Sequence, residues 1–188
     1  MARVGMTTER LTLAAAELAD EVGFENVTIS ALARQFGVKD ASLYSHIRNA
    51  ADLRVRVALL ALGELADRAA EALAGRSGKD ALVAFADAYR GYAKQHPGRY
   101  AAGQLRLDPE TAFASAGPRH TEMTRAILRG YAVPEAEHVH AVRLLHSAFH
   151  GYVTLEQSGG FDHSGQVEES WRRVLDVLDA TLRNWPVS

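Results

Sequence analysis

The side chains of Thr28, Tyr44 and His46 can each donate a hydrogen bond to an anion, and all fall within one short segment, VTISALARQFGVKDASLYSHIRNAADL, which runs from Val27 to Leu53. Lys39 and Arg48 add two cations. Thr28 fits the N-cap of a helix running to about Phe36, where its oxygen accepts one of the unpaired N–H groups of the first turn. Val27 and Leu32 then occupy the two staple positions. Gly37 supplies the positive φ at which the chain can turn sharply. Val38 and Leu43 repeat the staple around a second, shorter helix of roughly Lys39 to His46. Ile29, Leu32, Ala33 and Phe36 share one face, as do Val38, Leu43 and Ile47. The two helices can therefore bury apolar faces on each other, with small Ala33 at the crossing. Lys39, Asp40, Ala41, Ser42, Tyr44 and Ser45 are left facing outward. This is the spacing of a helix-turn-helix, a unit that lays its second helix in a DNA groove.

A helix before this segment must close the small core. Leu11, Ala14, Ala15, Leu18, Ala19 and Val22 recur at helical spacing after Thr7 or Thr8, and Gly23-Phe24 has the form of a glycine C-cap with its hydrophobic contact. Behind the segment, Asn49 and Asp52 make a near capping box for a long helix to about Leu73, striped by Leu53, Val57, Leu60 and Leu65.

The stretch Thr7 to Leu53 resembles the N-terminal domain of the TetR family of transcriptional regulators. Its marks are Gly23-Phe24, Thr28, Leu32-Ala33, Gly37-Val38, Leu43-Tyr44, His46 and Leu53. The resemblance implies that Thr28, Tyr44 and His46 touch phosphates, which position a protein on the duplex, while Asp40, Ala41 and Ser42 approach base edges, which specify sequence. Lys39 stands where the family usually has a capping Ser, a change that costs on the order of 1 kcal/mol of helix stability. Ala50 stands where many members have a phosphate-contacting Lys, so Lys39 and Arg48 are expected to supply that charge. Asp40 is unfavourable near phosphates unless it accepts from a cytosine amino group.

Charge sets limits on this reading. The 188 residues carry 21 Lys and Arg against 23 Asp and Glu, a net charge of −2, so bulk attraction to nucleic acid is excluded. The first 50 residues have five basic (Arg3, Arg10, Arg34, Lys39, Arg48) and six acidic residues (Glu9, Glu17, Asp20, Glu21, Glu25, Asp40). DNA affinity must come from local placement and from dimerisation. Arg3, ahead of the first helix, could reach a phosphate or the minor groove. Cysteine is absent, which removes disulfide and thiolate chemistry. The apolar run Val55 to Leu62 is too short to cross a membrane. A cytoplasmic protein with no membrane partner is expected. With no nucleophile elbow, phosphate loop or dinucleotide fingerprint, neither catalytic residues nor a cofactor are expected, and the chain is read as a non-enzyme.

The rest of the chain reads as helix: Lys79 to Gln95, a short one from Tyr100 to about Gln104, one starting at Asp108-Pro109 and running to Tyr131 with a break near Gly117-Pro118, then Pro134 to Gln157 and Asp162 to Asn184. The expected fold is all-α with about nine helices. A three-helix helix-turn-helix domain, residues 1–50, is joined by the long helix to a helical ligand-binding and dimerisation domain, residues 51–188. Leu145, Phe149, Trp171, Leu175 and Leu178 on the last two helices are the expected homodimer interface. Two recognition helices about 34–36 Å apart can then read a palindromic operator. The segment His146 to Glu156 also resembles the WHG type of TetR C-terminal domain, with His146 in place of the tryptophan. The family's ligand cavity is walled by middle helices, which makes Phe85, Tyr89, Tyr92, Tyr100, Phe113, Met123 and His150 the pocket candidates for a small-molecule effector. A repressor released by that effector is the expected function. The alternative is a metal-responsive sensor or metal-binding protein, using His138, His140, His146 and His150 of one helix.

Overall fold

The computed structural model describes residues 6–163 and 165–186 of the chain; Arg3 lies outside them. Among the described residues there are nine α-helices and no strands. They are α1 (Thr8–Val22), α2 (Ile29–Phe36), α3 (Ala50–Leu73), α4 (Gly78–Gln95), α5 (Pro97–Ala102), α6 (Pro109–Ala114), α7 (Gly117–Gly130), α8 (His138–Gln157) and α9 (Val167–Arg183). Packing divides them into two compact units, residues 1–64 with 95–116, and residues 65–94 with 117–188. This division is one of contacts, and it does not fall at residue 50.

The first unit begins as the cap chemistry dictates. Thr7 Oγ1 accepts from Arg10 N at 3.3 Å and Thr28 Oγ1 from Ala31 N at 3.1 Å, so α1 and α2 each start on a capping threonine. Gly37 ends α2 in the left-handed region, with φ 65° and ψ 31°. Leu11, Ala15, Leu32, Leu43, Ile47, Leu53 and Val57 fill the core. Asn49 Oδ1 accepts from Asp52 N at 2.9 Å and opens α3. Arg54 then stacks 4.1 Å above the Phe24 ring and donates to the Phe24 carbonyl.

α5 adds a wall that the periodicity of α1 only partly announces. Val22 is exposed, and Ala16 is buried together with Ala15 and Ala19, so α1 buries more than one face. α5 starts at Pro97, whose missing N–H costs nothing at a first helical position, rather than at Tyr100. Gly98 lies so close to α1 that a Cβ there would stand 1.9 Å from the Ala19 carbonyl oxygen. Beside the crossing, Asp20 accepts from Arg99 N at 2.9 Å and from His96 Nδ1 at 3.0 Å, while Arg99 also reaches Glu64 at 3.0 Å.

In the second unit, Phe85, Leu128, Leu145, Phe149, Trp171, Leu175, Leu178 and Leu182 form one core. α9 starts at Val167 instead of Asp162, because Gly159, Gly165 and Gln166 hold positive φ in the preceding loop. α4, α8 and α9 are clasped by Arg90, which donates to Glu156 at 2.6 and 2.7 Å and to Glu168 at 2.7 Å. The guanidinium is buried beneath the Trp171 ring, 5.3 Å away. Its hydrogen bond holds the Glu168 carboxyl down at about 2. Isolated surface ion pairs contribute about 0–1 kcal/mol, whereas removing one partner of a buried one costs about 3–5 kcal/mol. The Arg90–Glu156 pair, with both side chains largely buried, falls in the second class, and the exposed Glu168 adds to it as a surface partner.

Gly98→Ala is expected to force α1 and α5 apart and to lower stability by roughly 1–3 kcal/mol. The denaturant midpoint measured by circular dichroism reads this, and an unchanged midpoint would show that the crossing yields without cost.

Candidate functional site

The recognition segment is tighter than the expected helix of Lys39 to His46. Only Asp40–Ser42 is regular, as one 3-10 turn, and residues 43–46 continue as turns. Two causes are visible. Lys39, at the cap position, makes no side-chain capping bond. Asp40, which could have capped, is instead bonded through Oδ2 to Ser30 Oγ on α2. Burial then supplies what capping does not. Leu43 and Ile47 are fully buried, and Ile47 N donates to Leu43 O at 3.0 Å, so the segment is held by its apolar side.

The outer side carries the candidate contacts on one unit. Thr28, Lys39, Asp40, Ala41, Ser42, Tyr44 and Arg48 are exposed, Tyr44 at 54%, and His46 is half-buried. Thr28 sits at the N-terminus of α2, where unpaired N–H groups and the helix dipole favour an anion. Arg48 is less available than the sequence suggests. Its guanidinium donates to Asp52 Oδ1 at 3.0 and 3.3 Å, and Asp52 also accepts from Arg48 N and from Arg56. Burial acts to raise the Asp52 carboxyl, but these bonds outweigh it and leave it below its ordinary value. Arg48 is thus a held cation, with its direction set by Asp52. Ser30 was not singled out by the sequence, and no local signal marks a partner ten residues away.

The seven pocket candidates are not brought together. Tyr100 is buried in the first unit and Phe113, also of that unit, is 83% exposed. Tyr92 is buried and His150 exposed. Phe85, Tyr89 and Met123 do share the second unit's core region. There the Tyr89 ring packs tilted against Phe85, centroids 5.0 Å apart, and its hydroxyl bonds to His120 Nδ1 at 2.7 Å. His146 completes the cluster, 6.1 Å from the Tyr89 ring, with Nε2 3.3 Å from Thr124 Oγ1. Burial, followed by the charge His120 can carry, holds the His146 imidazole below its ordinary pKa. His120 and Thr124 escaped the sequence reading; their i,i+4 spacing on α7 is the sign that was available.

Leu145, Phe149, Trp171, Leu175 and Leu178, expected at a dimer interface, are buried in this chain's own core. Their periodicity marks the inward face of α8 and α9. The exposed apolar side chains there are Val139, Leu144, Leu155 and Val177. The histidines of α8 also part company: His138 is buried against the Val133 carbonyl at 3.0 Å, while His140 and His150 are exposed. Among the described residues no three His, Cys, Asp or Glu side chains come together as metal ligands, and no helix is long and apolar enough to cross a membrane.

Comparison with known proteins agrees with this architecture. Residues 11–57 match the model of bacterial regulatory proteins of the tetR family, and residues 82–178 match that of the tetracyclin repressor-like C-terminal domain. An uncharacterized HTH-type transcriptional regulator, YobS of Bacillus subtilis, is 30% identical over 89% of this chain and 88% of its own length. Another, from Mycobacterium tuberculosis, is 35% identical over 84% of this chain and 73% of its own. Among solved structures, the TetR family regulator PfmR from Thermus thermophilus superposes with a TM-score of 0.69 at 27% identity, covering 91% of this chain and 97% of that one. A TetR variant from Acinetobacter baumannii in complex with minocycline does so at 0.72 and 22%, covering 98% and 100%.

His146 yields a pH test. Its folded pKa lies below the unfolded value, so protonation below about pH 6.5 favours the unfolded chain. Stability is therefore complete above that pH and falls as pH drops from 6.5 through the lowered value. Thermal melting between pH 7.5 and 5 is expected to show this loss, and His146→Leu to flatten it; an equal slope in the variant would exclude His146 as the cause.

With a helix-turn-helix matching one family model and an all-helical second region matching its companion, the chain belongs to the TetR family and is a DNA-binding regulator of transcription, not an enzyme.

Proposed function

We propose that the chain acts in the cytoplasm as a homodimeric repressor that binds a palindromic operator and leaves it when a small molecule binds. In this reading residues 1–50 contact DNA and residues 51–188 bind the effector and pair the subunits. The observation that carries it is the exposed surface of Thr28, Lys39, Asp40, Ala41, Ser42 and Tyr44 on a turn whose other side, Leu43 and Ile47, is locked into a core. Thr28, Tyr44 and His46 donate to phosphates and fix register; Asp40, Ala41 and Ser42 meet base edges. With residues 1–50 close to neutral, a single subunit gathers few phosphate contacts, and two subunits on one duplex double them.

Pairing is assigned to the outer faces of α8 and α9, where Leu144, Leu155 and Val177 are exposed. Effector binding is assigned to the polar and aromatic cluster of Phe85, Tyr89, Met123, His120, Thr124 and His146. Another solved structure of this fold, ActR of Streptomyces coelicolor at a TM-score of 0.69 and 18% identity, is in complex with (S)-DNPA, which supports a small-molecule site in the present chain. Release follows from linkage: an effector that favours a dimer with misaligned recognition turns draws population off the operator. Moving the operator from mostly bound to mostly free takes about 5 kcal/mol of differential affinity.

Selection of bound fragments from random DNA tests this reading, with an inverted repeat as the expected product. Tyr44→Ala and His46→Ala are expected to weaken binding about tenfold, in line with one lost charge-assisted hydrogen bond, while helix content and the oligomeric state stay unchanged. Ser42→Ala is expected to change base preference more than affinity. Failure to enrich any sequence at low salt would overturn the proposal.

A further inference from the structure

We infer that Ser30 is a positioning residue for sequence reading: its hydroxyl holds the Asp40 carboxylate so that the remaining oxygen selects cytosine at one position of each operator half-site. The inference rests on the proposed reading of base edges by the recognition turn. It starts from a bond that joins two exposed polar side chains ten residues apart, Ser30 Oγ to Asp40 Oδ2. Ser30 stands in the first turn of α2, and Asp40 is the first regular residue of the recognition turn. N-terminal residues of a recognition element are those that reach base edges in the major groove.

An acidic side chain at that place is repelled by every phosphate around it. Only an amino donor on a base edge offsets the repulsion. On its own edge cytosine presents the N4 amino group beside only a C5–H, whereas adenine places the N7 acceptor beside its N6 amino group, against the lone pairs of a carboxylate. An unrestrained Asp would also swing, and fixing it on binding costs side-chain entropy. In this chain Oδ2 is already engaged by Ser30, and Oδ1 has no partner among the described residues. The bond has a second effect: it keeps Asp40 from folding back to cap its own turn, where no side-chain capping bond is made. The carboxylate is therefore preorganised, with one oxygen on the protein and one available to a base.

Selection from random DNA, followed by titration of the enriched operator with each base at every position, reads the consequence. The wild-type chain is expected to prefer cytosine about tenfold over thymine at one position per half-site, and Ser30→Ala to reduce this to about twofold. Ser30→Thr keeps the hydroxyl and is expected to restore it. Asp40→Ala is expected to abolish the preference, and Ser30→Ala added to Asp40→Ala to change nothing further, the signature of one residue acting through the other. A Ser30→Ala chain that keeps the cytosine preference, or that loses affinity equally for all sequences, overturns the inference while leaving the operator reading intact. A wild-type chain that enriches an operator without cytosine preference does the same. Absence of any enriched sequence overturns both.

Discussion

Burial of Leu43 and Ile47 carries the recognition segment, because that segment has little helix of its own. Lys39 leaves the turn uncapped, and one 3-10 turn is far below the length at which a helix persists in water. Its conformation is imposed from behind by packing on α1 and α2, by the left-handed Gly37 before it and by the Asn49 cap after it. The orientation of every outward side chain, Tyr44 and Asp40 included, is thus inherited from an apolar core. Losing part of that core would blur the outward surface proposed to meet DNA before the protein as a whole unfolded.

Within each of the two units, polar contacts are arranged around a few carboxylates. Asp52 gathers Arg48 and Arg56, Asp20 gathers His96 and Arg99, and Glu156 with Glu168 gathers Arg90. Each carboxylate joins segments that the chain separates, except at Asp52, where the partners are neighbours. Networks of this kind contribute more to geometry than to net stability, since desolvation offsets much of the attraction.

The first helix of the helix-turn-helix, the turn after it and the start of α3 were legible because their signals are local, whereas the second helix expected over Lys39 to His46 is reduced to a single 3-10 turn. Thr28, Gly37 and Asn49 act on residues within one turn of themselves, and the apolar spacing of Ile29, Leu32 and Leu43 names a single buried face. Long-range features were not legible. Nothing in Gly98 announces that it passes beneath Ala19, and nothing in Asp40 announces Ser30 as its partner. Periodicity likewise cannot say what an apolar face is buried against. Trp171, Leu175 and Leu178, expected from their spacing at an interface between copies, are buried in this chain's own core. The polar cluster in the second unit was half-visible: Tyr89 stood out as an aromatic, but His120 and Thr124 acquire meaning only when α7 is laid against α4 and α8.

The first unit is built from two stretches of chain that synthesis delivers at different times, residues up to 64 and then 95–116. A ribosome adding roughly 5–20 residues per second takes a few seconds to pass from the end of the first stretch to Ala102. During that interval Ala19 has no α5 against it, and Asp20 has neither His96 nor Arg99. The nascent head therefore emerges with one flank uncovered, a window in which chaperones or a neighbouring nascent chain have access to it.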